Sequence, residues 1–305
     1  MSPALLRAAS LLALSAQTAA PLPTEPVPDS IALGADASRM TVPVQIADAG
    51  PFRFVIDTGA ERTVISRELA ATLGLPAGRG VRVTAMTNVE IAPTVVIPRL
   101  RVGPLGGKRV EAPTFAAINL GAAGMLGIDM LQDHAVTIDF DHDVMAVTPS
   151  TKRRRAPRAE PGEVIVRARD MFGQLVVTDA YLGLRRVRVV IDTGSDVTMG
   201  NSALRRVVAH RAPDVQQISL RAVTGVSLVA EYRRIGAVRI GSTTIDNLPV
   251  AFADAPPFAR FGLAEKPALM LGMDVLRLFR RVTIDFPNRE LRLLLPKDVQ
   301  QTRAG

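Results

Sequence analysis

Alternating apolar and polar positions dominate this chain, and they predict strands far more often than helices. Met40-Thr-Val-Pro-Val-Gln-Ile46 alternates as a half-buried strand does, and Gly50-Pro51 is expected to turn it into Phe52-Arg-Phe-Val-Ile56. Ser66-Arg-Glu-Leu-Ala-Ala-Thr-Leu73 switches to helical spacing, with a serine at the cap position and Gly74 closing it. Val81 to Ile91 reads as a hairpin turning near Thr87-Asn88. Strands follow around Val95 to Val102 and Pro113 to Ile118, leading to Gly124-Met-Leu-Gly-Ile-Asp-Met-Leu131. Val136-Thr-Ile-Asp-Phe140, a polar turn and Val144-Met-Ala-Val-Thr148 complete the series.

The series then recurs. Val164-Ile-Val166, Leu175-Val-Val177 and Val187-Arg-Val-Val-Ile191 read as strands, and Ser202 to Val208 takes the helix position. Ala222-Val-Thr-Gly-Val226 matches Ala85-Met-Thr-Asn-Val89, Met270 to Leu276 matches Met125 to Leu131, and Thr283-Ile-Asp-Phe286 matches Thr137-Ile-Asp-Phe140. Offsets between landmarks grow from 192 − 57 = 135 through 222 − 85 = 137 to 274 − 129 = 145, as insertions in loops produce. Two copies are too few for a solenoid but suit two lobes about a pseudo-two-fold axis. The expected boundaries are residues 31–150 and 163–297 for the lobes, 151–162 for a basic, proline-containing exposed linker around Lys152-Arg-Arg-Arg155, and 298–305 for a tail.

Within the repeat lies Phe54-Val-Ile-Asp57-Thr-Gly-Ala-Glu-Arg-Thr63, answered by Val189-Val-Ile-Asp192-Thr-Gly-Ser-Asp-Val-Thr198. Two Asp-Thr-Gly loops, each after a Val-Ile strand and each with a threonine six places after the aspartate, resemble the active-site loops of aspartic peptidases. The likeness is closest to the bacterial retropepsin-like group of the pepsin clan, here with both copies in one chain. The resemblance implies an all-β protein of two closed β-barrel lobes, each with a short helix, covering about residues 40–148 and 164–295.

It also implies an aspartic endopeptidase. Asp57 and Asp192 would form one dyad that activates a water, with Thr58, Gly59 and Ala60 in one active-site loop and Thr193, Gly194 and Ser195 in the other. The two threonines would interlock the loops. Met86, Thr87 and Asn88 in the first copy, and Val223, Thr224 and Gly225 in the second, sit where the family places flaps over an extended substrate. Leu126-Gly127 and Leu271-Gly272 would run beneath the loops. A peptide or protein is the implied partner. Two alternatives stand beside this reading: a peptide-binding protein that keeps the fold without the chemistry, and a homodimer pairing like lobes between chains.

The copies differ directly after the glycine, where Ala60 stands opposite Ser195. A serine hydroxyl there can donate to its own aspartate and favour its ionised form, which would make Asp192 the base; capping of the following turn is the other use of that hydroxyl. Asp129 and Asp274, placed before short helices, are expected to cap them. Asp139-Phe-Asp-His-Asp143 alternates acids but lacks the glycine and glutamate of a calcium loop, so a polar hairpin turn is expected. His134, His142 and His210 have no metal-ligand spacing, and neither metal nor cofactor is expected.

Composition narrows the remaining choices. The 305 residues are 48% apolar but only 4% aromatic, so the core must be aliphatic. The absence of cysteine excludes disulfides and thiol chemistry. A formal charge of +8 is spread over both halves and lacks aromatic residues for base stacking, so no nucleic-acid partner is expected. Residues 1–20, with Arg7, an apolar run to Leu14 and small residues to Ala20, read as a secretory signal peptide followed by a disordered proline-rich stretch over 21–30. No later segment offers about 18 unbroken apolar residues, so the exported protein, periplasmic or secreted, is expected to keep no membrane insertion.

Overall fold

The computed structural model describes residues 30–32, 41–103, 105–153, 157–171, 174–208 and 215–297. The expected signal peptide, nearly all of the segment over 21–30, His210 and the tail lie outside the described residues. In the first half the elements are β1 (Ser30–Ala32), β2 (Thr41–Ile46), β3 (Ala49–Ile56), β4 (Val64–Ser66), α1 (Arg67–Thr72), β5 (Val81–Thr84), β6 (Val89–Ala92) and β7 (Thr94–Val102). Next come β8 (Leu105–Phe115), α2 (Ala117–Leu120), β9 (Gly124–Leu126), α3 (Ile128–Leu131), β10 (His134–Asp139) and β11 (Val144–Pro149). The second half begins with β12 (Glu163–Met171), β13 (Gln174–Leu182), β14 (Arg185–Ile191), β15 (Met199–Gly200), α4 (Ser202–Val208), β16 (Gln216–Arg221) and β17 (Ser227–Ile235). It ends with β18 (Val238–Ile240), β19 (Thr243–Ile245), β20 (Leu248–Phe252), α5 (Pro256–Arg260), β21 (Ala268–Leu271), α6 (Met273–Leu276), β22 (Arg281–Asp285) and β23 (Glu290–Leu294).

The protein is mainly β, as its alternation predicts. In α1, the Ser66 side chain accepts from the Leu69 amide at 3.1 Å, which satisfies one of the donors a helix start leaves open. Two local expectations are corrected. The β2–β3 turn is made by Ala47-Asp48, because Ile46 pairs with Ala49 and Ala47 takes a positive φ of 52°; Gly50-Pro51 lies inside β3. Ile118 belongs to α2 rather than to a strand and is exposed.

Strands β2, β3, β9, β4, β8 and β7 close into a barrel around Val44, Phe54, Ile65 and Leu100. The second lobe repeats the neighbour order as β13, β14, β21, β15, β20 and β17, but the expected second closed barrel is not a single unbroken ring. Its last strand breaks at Gly236-Ala237, and closure onto β13 is made by β18, beyond the break.

Strands β1, β11, β10, β22, β23 and β12 run side by side in that order between the lobes, and β12 continues the sheet into the second lobe through β13. The centre of this run is self-matched: Thr137 of β10 lies opposite Thr283 of β22, its own repeat equivalent, and their hydroxyls are 3.0 Å apart. A pseudo-two-fold axis therefore passes between these threonines. The segment expected as a linker is exposed at 151–153 and 157–161, yet it is pinned. Arg153 pairs with the buried Asp285, and its amide donates to Asn288 Oδ1 at 2.8 Å. Asp139 takes the amides of Asp141 and His142 at 3.0 and 3.1 Å, so the acid-rich stretch is a hairpin turn.

Candidate active site

Each Asp-Thr-Gly is delivered by a strand buried on both faces. Phe54 and Ile56 face the main core, while Val55 packs on a smaller cluster with Val64, Phe115 and Met125. Val189 and Ile191 of β14 join the main core in turn, and Val190 packs with Val176, Met199 and Met270. Both strands run parallel to a covered neighbour, β9 or β21, which explains unbroken apolar runs in a chain that otherwise alternates.

The loops then grip each other. The Thr58 hydroxyl donates to the Ile191 carbonyl at 2.9 Å and accepts from the Thr193 amide at 3.2 Å. Symmetrically, the Thr193 hydroxyl donates to the Ile56 carbonyl at 2.8 Å and accepts from the Thr58 amide at 3.1 Å. Both threonines are buried, so four hydrogen bonds satisfy six polar groups of the interface where water does not reach.

This grip brings the two carboxylates together. A Cβ placed on Gly59 would lie 2.7 Å from Asp192 Oδ1 and 3.1 Å from Asp57 Oδ1. One on Gly194 would lie 2.2 Å from Asp57 Cγ. Each glycine is therefore required by the aspartate of the opposite loop. Asp57 Oδ1 accepts from the Gly59 and Ala60 amides at 2.8 and 2.9 Å, and Asp192 Oδ1 from the Gly194 amide at 3.1 Å.

The Leu-Gly elements hold the loops from below. Leu126 and Leu271 carbonyls accept the Asp57 and Asp192 amides, each at 2.9 Å, and the Ile128 and Met273 amides donate to the carbonyls of Ala60 and Ser195 at 2.9 and 2.8 Å. Asp129 and Asp274 lie in the first turn of their helices rather than at the cap positions. The cap positions are Gly127 and Gly272, without side-chain bonds. Asp129 instead accepts from the Thr63 hydroxyl at 2.8 Å, and Asp274 from the Thr198 hydroxyl at 2.7 Å. Burial pushes both carboxyls above the ordinary aspartate range, against the threonine donors, which favour the charged form.

Ser195 requires a correction. Its hydroxyl donates to the Val197 carbonyl at 2.8 Å, leaving no proton for Asp192. The serine caps its own turn and makes no bond that would favour the charged form of Asp192.

A cavity of about 400 Å³ lies above the carboxylates, lined by Gly59, Ala60, Gly194 and Ser195 and by Met86, Thr87 and Val223 of the two hairpins. Asn88, Thr224 and Gly225 do not line it. They join the hairpin tips: the Thr224 hydroxyl donates to Asn88 Oδ1 at 3.0 Å, while Asn88 Nδ2 reaches Glu90 at 2.8 Å. Gly225 turns its tip with φ of 87°.

Sequence reasoning missed Gln174 and the Glu61–Arg260 pair. Gln174, buried at the start of β13, donates through Nε2 to the Gly59 carbonyl in the other lobe and leaves Oε1 buried without a partner at the cavity wall. Arg260 of α5 holds Glu61 across the lobes with bonds of 2.5 and 2.7 Å. No motif marks these residues; only the tertiary fold makes them neighbours.

No curated protein matches the chain. A family model described as aspartyl protease matches it over residues 42–130 and again over 178–275, one match in each half and more than half of the chain in total. Each match contains one Asp-Thr-Gly loop and its Leu-Gly element, so the chain belongs to the aspartyl protease family, of the retropepsin-like type in tandem.

Proposed function

We propose that this protein is an aspartic endopeptidase whose dyad, Asp57 with Asp192, lies within one chain. The observation that carries the proposal is the reciprocal approach of Gly59 and Gly194 to the carboxylate of the opposite loop. Two carboxyl groups about 3 Å apart cannot both ionise, so they share one proton. The ionised member takes a proton from a water held between them. The protonated member gives its own to the scissile carbonyl oxygen as the water attacks, and the tetrahedral intermediate collapses with proton transfer to the leaving amine. Hairpins closing over a substrate in extended form exclude bulk water from that step. Pairing of like lobes between chains is disfavoured by the threonine grip, all of whose bonds join the two halves of one chain.

The test is hydrolysis of a mixed peptide library by Asp57→Asn and Asp192→Asn. Each substitution is expected to lower turnover by about a thousandfold or more, and the double variant should fall little further, since the pair acts as a unit. Substantial turnover by either purified single variant would overturn the intramolecular dyad.

A further inference from the structure

The cavity wall is positively charged in a way the repeat did not require. Arg62 of the first loop, Arg82 of β5 and Arg221 of β16 all line it, all are exposed, and none forms an ion pair among the described residues. Their repeat equivalents are Val197, Ser219 and Thr84, which also line the cavity. The fold thus places these positions on the wall in both lobes, and the chain puts an arginine on one side of each pair only. The fourth arginine of the wall, Arg260, is engaged by Glu61. Asp196 is then the other wall carboxylate outside the dyad.

We infer, resting on the peptidase reading above, that the preferred substrates carry acidic side chains on both sides of the scissile bond, more strongly on the side covered by the first lobe. A peptide lying between the hairpins and the dyad passes Arg82 and Arg62 in one lobe and Arg221 in the other. Arginine offers a planar fork of donors matched to a carboxylate. Aliphatic and methionine side chains such as Met86, Val223 and Leu228 also line the cavity, which suits an apolar core in the same substrate.

The experiment uses internally quenched peptides with one common aliphatic core and Asp, Asn or Lys at positions two to four residues either side of the cut, at about pH 5.5 where aspartate is ionised. kcat/KM is expected to rank Asp over Asn over Lys by about twofold to fivefold per facing arginine, narrowing in high salt. Arg82→Glu and Arg221→Glu should each invert that order on its own side only, and the milder Arg82→Gln should flatten it. Arg185→Glu, at the β13–β14 turn away from the cavity, changes net charge equally and should leave the order intact. Equal rates for Asp and Lys peptides, or an Arg185→Glu effect as large as that of Arg82→Glu, would overturn the inference. If no peptide is cut, the peptidase reading itself fails. Fluorescence anisotropy of the same labelled peptides then decides the charge preference, and equal affinity for the Asp and Lys forms would refute it.

Discussion

Replacing Thr58 by valine preserves side-chain shape and deletes only the hydroxyl at the centre of the grip. The deletion orphans the Ile191 carbonyl and the Thr193 amide, both in residues no more than 2% exposed. A buried polar group without a partner costs about 1–3 kcal/mol, so the substitution should cost roughly 2–6 kcal/mol. That is a large part of the roughly 5–15 kcal/mol that holds a typical native protein together. Thr193→Val orphans the equivalent pair, Ile56 and Thr58, and should cost the same within about 1 kcal/mol. Thr58→Ser keeps the hydroxyl and should remain within about 1 kcal/mol of wild type. The chain has no tryptophan and two tyrosines, so urea unfolding is best followed by far-ultraviolet circular dichroism. A Thr58→Val midpoint corresponding to less than about 0.5 kcal/mol of destabilisation would show that the grip does not hold the loops, and the reasoning would fail.

Gly194→Ala should fold with a loss of about 1–3 kcal/mol but displace Asp57, and Gly59→Ala should do less, following contacts of 2.2 and 2.7 Å; steady-state kinetics should show the loss in kcat, and a fully active Gly194→Ala enzyme would contradict the geometry. Asp129 and Asp274 have raised pKa values, so the folded state binds more protons than the unfolded one; their contribution to stability is complete below the unfolded aspartate value and is lost as pH rises through the raised folded value. Asp129→Asn and Asp274→Asn should therefore gain on wild type as pH rises from about 4 to about 7, read as the difference in Tm across that range; a pH-independent offset would refute the linkage.

The site could be read early because its signals are local. A strand covered on both faces must be apolar without interruption, and the small residues after Asp57 and Asp192 are those that a close approach demands. The threonine grip followed from the family resemblance, and the helix at Ser66 followed from its cap. The remaining features depend on distant pairings. Asp129 occupies a position that suits a helix start, and only the fold brings Thr63 within 2.8 Å of it. Ser195 could serve either its aspartate or its own turn, and sequence does not choose between two acceptors of equal reach. The break at Gly236-Ala237, which splits the closing strand of the second lobe, interrupts an alternation that continues on both sides. Gln174 begins a strand with a polar residue, as many exposed strands do, yet it is almost wholly buried against a loop 115 residues away.

The self-matched register at Thr137 and Thr283 has a consequence beyond holding the lobes together. Each half meets at that seam what a second copy of itself would present, so tethering replaces encounter between separate molecules with a fixed effective concentration. Assembly of the site then no longer depends on how much protein is present. A pair of identical chains must also repeat every side chain of its cleft, whereas a tethered pair can vary one side at a time. Arg62 opposite Val197 and Arg82 opposite Ser219 are differences that only a tethered pair can hold.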